Sequence, residues 1–85
     1  MKYDNGEIER IIRNLIKCTI ETPMFDADSV GVLDTLTDVG LDSMDLIALV
    51  VAIESNFDIE LQDEDLLFEN LDTIKKIIDI VRKYI

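Results

Sequence analysis

One stretch of this chain combines residue types and spacing suited to chemistry. It is Asp42-Ser43-Met44-Asp45, a hydroxyl between two carboxylates, preceded by Val39-Gly40-Leu41. A serine nucleophile needs a base to take its proton. The chain has no His, and no Lys or Arg lies between residues 21 and 72. Nor is the pattern Gly-x-Ser-x-Gly, because the glycine stands three residues before Ser43 and Asp45 holds the other glycine's place. Ser43 alone is a poor nucleophile, so a second protein would have to activate it. Taken by itself, Asp42-Ser43 reads as a plain helix N-cap.

A second candidate is Asp26-Ala-Asp28-Ser-Val30-Gly31-Val32-Leu-Asp34-Thr-Leu-Thr37. It fits a calcium-binding EF-hand loop at positions one, three, six and nine. Val30 at position five offers no side-chain oxygen, and Thr37 at position twelve cannot chelate through two oxygens as Glu does. What remains is loose divalent-ion attraction to an acidic surface. The single cysteine, Cys18, excludes an internal disulfide and a Cys-rich zinc site. It borders an apolar helix face and is read as a packing residue.

These residues sit in an 85-residue chain with 8 basic and 19 acidic side chains, for a formal net charge of −11. Such a chain is too acidic to bind nucleic-acid phosphates. Its 48% hydrophobic content separates it from acidic disordered segments and suffices for a core. The charge is unevenly placed. Residues 1–20 hold four bases and three acids, residues 73–85 hold four bases and one acid, and residues 21–72 hold 15 acids and no base. That middle stretch projects a one-signed field toward cationic partners. The longest apolar run, Leu46 to Ile53, is far too short to span a bilayer, and the N-terminus lacks a signal-type stretch. A soluble, cytoplasmic, single-domain protein covering residues 1–85 is expected.

Positioning falls to helices. Ile8, Ile11, Ile12, Leu15, Ile16 and Thr19 recur at helical spacing and predict an amphipathic helix over Gly6 to Ile20. Glu21 to Leu41, punctuated by Pro23, Gly31 and Gly40, reads as a long loop pinned by Val32, Leu33 and Leu36. Met44 to Phe57 follows, with Asp42 or Ser43 as cap, and its helix formers favour helix over buried strand. One stripe, Leu46, Leu49, Val50, Ile53 and Phe57, would face the core. The other, Met44, Ile47, Ala48 and Val51, starts beside Ser43 and is free for a partner. Asp58 to Gln62 is a connector and Asp63 to Phe68 a short helix with acids in its first turn. Leu71, Ile74, Ile77, Ile78, Val81 and Ile85 outline a last helix capped by Asp72 or Thr73. The expected fold is all-α, a small bundle of three main helices plus one short helix.

Asp38-Val39-Gly40-Leu41-Asp42-Ser43-Met44, with Glu54-Ser-Asn-Phe57 closing the same helix, resembles the acyl carrier protein superfamily. Its signature is Gly-Leu-Asp-Ser-Leu at the start of the second helix, and the likeness in helix order spans nearly the whole chain. The resemblance implies a carrier rather than an enzyme. A separate phosphopantetheinyl transferase, using coenzyme A and magnesium, would attach 4′-phosphopantetheine to Ser43. The arm's thiol would then hold acyl or aminoacyl groups as thioesters for fatty-acid, polyketide or related biosynthesis. It further implies that Asp42 and Asp45 meet basic residues of partner enzymes, that Met44, Ile47 and Val51 form the apolar contact, and that Glu54 takes part in partner recognition. A monomer is expected. Two positions depart from the pattern. Met44 replaces the commoner Leu, and Ala48 stands where fatty-acid carriers often have an acid, which leaves room for a polyketide, peptidyl or aminoacyl carrier. The alternative, from the residues alone, is an acidic helical calcium-responsive or adaptor protein without a prosthetic group.

Overall fold

The computed structural model describes residues 3–19 and 26–85, and the backbone but not the side chain of Phe68. Among them run three α-helices, α1 (Asn5–Thr19), α2 (Ser43–Phe57) and α3 (Ile74–Tyr84), with two 3-10 turns, Asp63–Asp65 and Phe68–Asn70, between α2 and α3. No strand occurs among the described residues. The predicted helix end at Ile20 and the loop residues 21–25, with Pro23, lie outside the described residues.

The α1 helix begins at Asn5, one residue earlier than the apolar period predicts, because Asp4 caps it. The Asp4 carboxylate accepts the Glu7 N–H at 2.8 Å, which satisfies one of the orphan donors of the first turn. Ile8, Ile12 and Ile16 are fully buried, one turn apart on the face that packs against both α2 and α3. In α2 the expected inner stripe of Leu46, Leu49, Val50, Ile53 and Phe57 is buried. In α3 the buried set is Ile74, Ile77, Ile78, Ile80 and Val81. Removing these side chains from water, at about 1.5–3 kcal/mol each, is the main force holding the bundle.

Between α1 and α2 the long loop is held at both ends of its course. Arg13 on α1 donates through Nη1 to the carbonyls of Ala27 at 2.6 Å and Val30 at 2.7 Å. Lys17 pairs with Asp28 at 2.6 Å. Further on, Leu36 donates its N–H to the Asp72 carbonyl, and Lys75 donates to the Val32 carbonyl, joining the loop to the start of α3. Ala27, Val30, Leu36 and Leu41 enter the core with the helices. Leu33, expected among the anchors, instead faces solvent, since its neighbours Val32 and Leu36 already occupy the inward positions.

Two further expectations are corrected. Cys18 is exposed rather than packed. Ile12 and Ile16 face the core, and the next turn turns Cys18 away from it. The short helix over Asp63 to Phe68 is two separate 3-10 turns. A six-residue α-helix has little stability of its own, and this stretch of three acids and three apolar residues has no base for an i, i+4 pair. Asp65 instead turns inward and is nearly buried, accepting from Lys83 Nζ at 2.7 Å and from the Tyr84 hydroxyl at 2.6 Å. Thr73, one of two expected caps, is the N-cap of α3, its hydroxyl accepting the Lys76 N–H.

Candidate functional site

The site is the N-terminus of α2. Gly40 opens it with φ +120°, a backbone conformation suited to glycine. A Cβ there would meet no heavy atom within 4 Å, so the glycine serves the turn rather than close packing. Leu41 then buries its side chain and anchors the chain just before the helix. Asp42 is the N-cap in extended conformation, and it forms a reciprocal capping box with Asp45. The Asp42 carboxylate accepts the Asp45 N–H at 2.9 Å, and the Asp45 carboxylate accepts the Asp42 N–H at 3.2 Å.

Ser43 is thus the first residue within the helix, not its cap. Its side chain is exposed, and its hydroxyl makes no hydrogen bond among the described residues. The N–H groups of Ser43 and Met44 likewise have no acceptor among the described residues. Free amides at the positive end of a helix dipole favour an anion on Ser43 Oγ. A phosphodiester there would fit: reachable hydroxyl, unoccupied donors, and no side chain closing over it. Asp42 and Asp45 oppose that charge, and in the structure their carboxylates shape the turn.

Beyond Ser43, α2 shows its second stripe to solvent. Met44 is 72% exposed, Ile47 51% and Val51 60%, with Ala48 half-buried between them. Glu54, predicted from the resemblance to meet partners, has a structural use. Its carboxylate accepts the Leu61 N–H at 2.8 Å and ties the connector after α2 back onto the helix. The helix ends with Asp58 in the left-handed conformation, φ 57°.

The calcium-type loop is committed elsewhere. Asp26 accepts the Asp28 N–H, Asp34 accepts the Gly31 N–H at 2.8 Å, and Asp28 faces Lys17. These carboxylates shape loop turns rather than converge. An open cleft of about 280 Å³ lies along α3, lined by Asp65, Asn70, Lys76, Asp79, Ile80 and Lys83. Its charges are matched: Lys83 with Asp65, Lys76 with Asp72 and the Glu69 carbonyl, and Asp79 with Lys75. The hydrogen bonds from Lys83 and then Tyr84 hold the Asp65 carboxyl below the usual carboxylate range. The same carboxylate raises Lys83 and Tyr84 above their usual ranges. This cluster is a structural tie between the first 3-10 turn and the end of α3. Sequence reasoning missed it, as it missed Arg13, because partners 14 to 19 positions apart leave no local spacing signal.

Comparison with known proteins agrees with this geometry. The family model for the phosphopantetheine attachment site matches residues 10–81. An acyl carrier protein of Buchnera aphidicola subsp. Acyrthosiphon pisum (strain Tuc7) is 42% identical over 83 residues, covering 98% of this chain and 94% of that protein. One from Buchnera aphidicola subsp. Schizaphis graminum is 36% identical over 75 residues, covering 88% and 85%. Another, from Akkermansia muciniphila, is 32% identical over 81 residues, covering 93% and 94%. With the helix order, the capping box and the exposed serine at the head of α2, these matches establish that the chain belongs to the acyl carrier protein superfamily, the phosphopantetheine-attachment family.

Proposed function

We propose that Ser43 is the attachment point of 4′-phosphopantetheine and that residues 1–85 act as one acyl carrier domain. The observation that supports it most is the division of labour at the head of α2. Asp42 does the capping, which leaves the Ser43 hydroxyl exposed and without a hydrogen-bond partner among the described residues. In the attachment step Ser43 Oγ bonds to the phosphorus that bears the pantetheine arm in coenzyme A. The bond to the bridging pyrophosphate oxygen breaks, and adenosine 3′,5′-bisphosphate leaves. The hydroxyl proton passes to a base of the transferase, since this chain has no His and no base within residues 21–72.

Once attached, the arm supplies a terminal thiol that holds acyl groups as thioesters. The chain's own residues do the rest. The free amides of the first turn of α2 would donate to the phosphodiester, Gly40 and Leu41 set the approach of the chain, and the stripe Met44, Ile47, Val51 meets partner enzymes. Those partners are a phosphopantetheinyl transferase and the enzymes that load and process the cargo, each with a basic patch beside an apolar groove. No helix among the described residues is long and apolar enough to cross a membrane. We place the protein in the cytoplasm as a monomer. Ala48 in place of an acid favours a specialised carrier over a fatty-acid one. Mass spectrometry of protein purified from its native source tests this by weighing arm and cargo together. A long straight-chain acyl load would overturn the specialised reading.

A further inference from the structure

We propose that Asn5-Gly6 is a self-modification site: Asn5 loses its side-chain amide by reaction with the Gly6 nitrogen, and the aspartate formed pairs with Arg82 and clasps α1 to α3. In the first step the Gly6 backbone nitrogen bonds to Asn5 Cγ and the bond from Cγ to Nδ2 breaks. The Gly6 proton passes through water to Nδ2, which leaves as ammonia. Water then opens the cyclic imide. Opening at Cγ leaves aspartate, and opening at the main-chain carbonyl leaves isoaspartate, whose backbone runs through the former side chain. Of the chain's four asparagines only Asn5 precedes glycine; Asn14, Asn56 and Asn70 precede Leu15, Phe57 and Leu71, whose side chains crowd the attacking nitrogen.

Asn5 and Gly6 are exposed in the first turn of α1, and the Gly6 N–H has no acceptor among the described residues. Helical backbone, with ψ about −42°, turns the Gly6 nitrogen away from Cγ, so the reaction waits for this turn to open. Opening is easy here, because helix ends fray and glycine is a poor helix former. The Asp4 cap opposes it with one good bond, to the Glu7 N–H at 2.8 Å, while the return bond from the Asp4 N–H to Glu7 is long at 3.5 Å. Arg82 Nη1 donates to Asn5 Oδ1 at 2.5 Å, 77 positions along the chain, and Arg82 has no ion pair among the described residues. Its guanidinium thus rests on a neutral amide where a carboxylate is the stronger acceptor. A carboxylate at this position also suits the positive end of the α1 dipole. Tyr3 packs edge-on against Phe57, with ring centroids 5.4 Å apart, so the start of α1 lies at the end of α2 remote from Ser43. Conversion therefore does not depend on what Ser43 carries.

The test holds the full chain in warm, mildly alkaline buffer and digests samples with trypsin, which releases residues 3–10 as one peptide. That peptide should gain the mass difference between OH and NH2 and separate into two forms, one of which accepts a methyl group from an isoaspartate-specific carboxyl methyltransferase. The peptides carrying Asn14, Asn56 and Asn70 should stay unchanged. Gly6→Ala should convert about fivefold more slowly or less, because alanine holds the first turn closed more firmly. It should fold as wild type does, since the nearest atom its Cβ would meet is Asp4 Oδ1 at an ordinary 3.5 Å. Asn5→Asp should melt about 2 °C above wild type at low salt and lose most of that gain when Arg82→Gln is added. An Asn5 that stays intact in the folded chain while converting in the urea-unfolded chain overturns the proposal, as does a Gly6→Ala chain that converts at the wild-type rate. A gain in Asn5→Asp that survives Arg82→Gln in full overturns the clasp.

Discussion

Asp42 and Asp45 each hold the other's backbone N–H, at 2.9 and 3.2 Å, with Ser43 between them. The pair fixes where α2 begins and releases the serine hydroxyl from the capping it would otherwise perform. Asp42→Ala should cost about 1 kcal/mol of stability, and Asp42→Asn much less, because Asn caps a helix nearly as well. Urea unfolding measures both. Equal losses for Ala and Asn would show that the cap is not what Asp42 supplies.

Among the described residues two occupy positive-φ backbone, Gly40 at 120° and Asp58 at 57°. Gly40→Ala should destabilise by roughly 1 kcal/mol through strain alone, since the space around it is open. Asp58→Gly should be neutral or stabilising by up to about 1 kcal/mol, because glycine adopts the left-handed conformation without penalty. Thermal melts decide both signs, and a stabilising Gly40→Ala would contradict the assigned turn.

The Asp65 tie has a defined pH window. A carboxyl held below its usual range contributes stability above that range and loses it as pH falls through the lowered value. Lys83 and Tyr84 are raised, so their share is present below their usual ranges and lost as pH rises through the raised values. The tie is therefore intact from about pH 4 to about pH 10. Asp65→Asn should be less stable than wild type at pH 7, and the gap should close as pH falls below about 4. Two acid-unfolding curves that stay parallel through that range would refute the tie.

Fifteen acids without a base in residues 21–72 repel one another in the compact state. Raising salt from about 0.01 to about 0.3 M shortens the Debye length from about 30 Å to a few ångström. Tm should rise over that range. A flat or falling Tm would mean that self-repulsion does not limit stability.

Much of the fold was legible because helices announce themselves locally. The inner stripe of α2 and the isoleucines of α1 follow from spacing and residue type, and the cap of α3 was narrowed to Asp72 or Thr73, of which Thr73 caps it. The site was legible for the same reason, since Gly40, Leu41, Asp42 and Ser43 are consecutive. What remained hidden depends on distant partners. Whether Asp42 or Ser43 caps α2 turns on which oxygen meets the Asp45 N–H. The short helix gave way to two 3-10 turns because Asp65 turns toward Lys83 and Tyr84, far along the chain. The bond that Glu54 accepts from the Leu61 N–H was hidden too, because it depends on how the connector folds back. Leu33 and Cys18 show that an apolar residue near a core face need not enter it when its neighbours fill the inward positions.

The central claim is that Ser43 Oγ carries the arm. Intact mass after incubation with coenzyme A, magnesium and a phosphopantetheinyl transferase tests it directly. Wild type should gain the mass of one 4′-phosphopantetheine, and Ser43→Ala should gain none. A wild type that stays at its starting mass, or a Ser43→Ala chain that gains the arm, would contradict it.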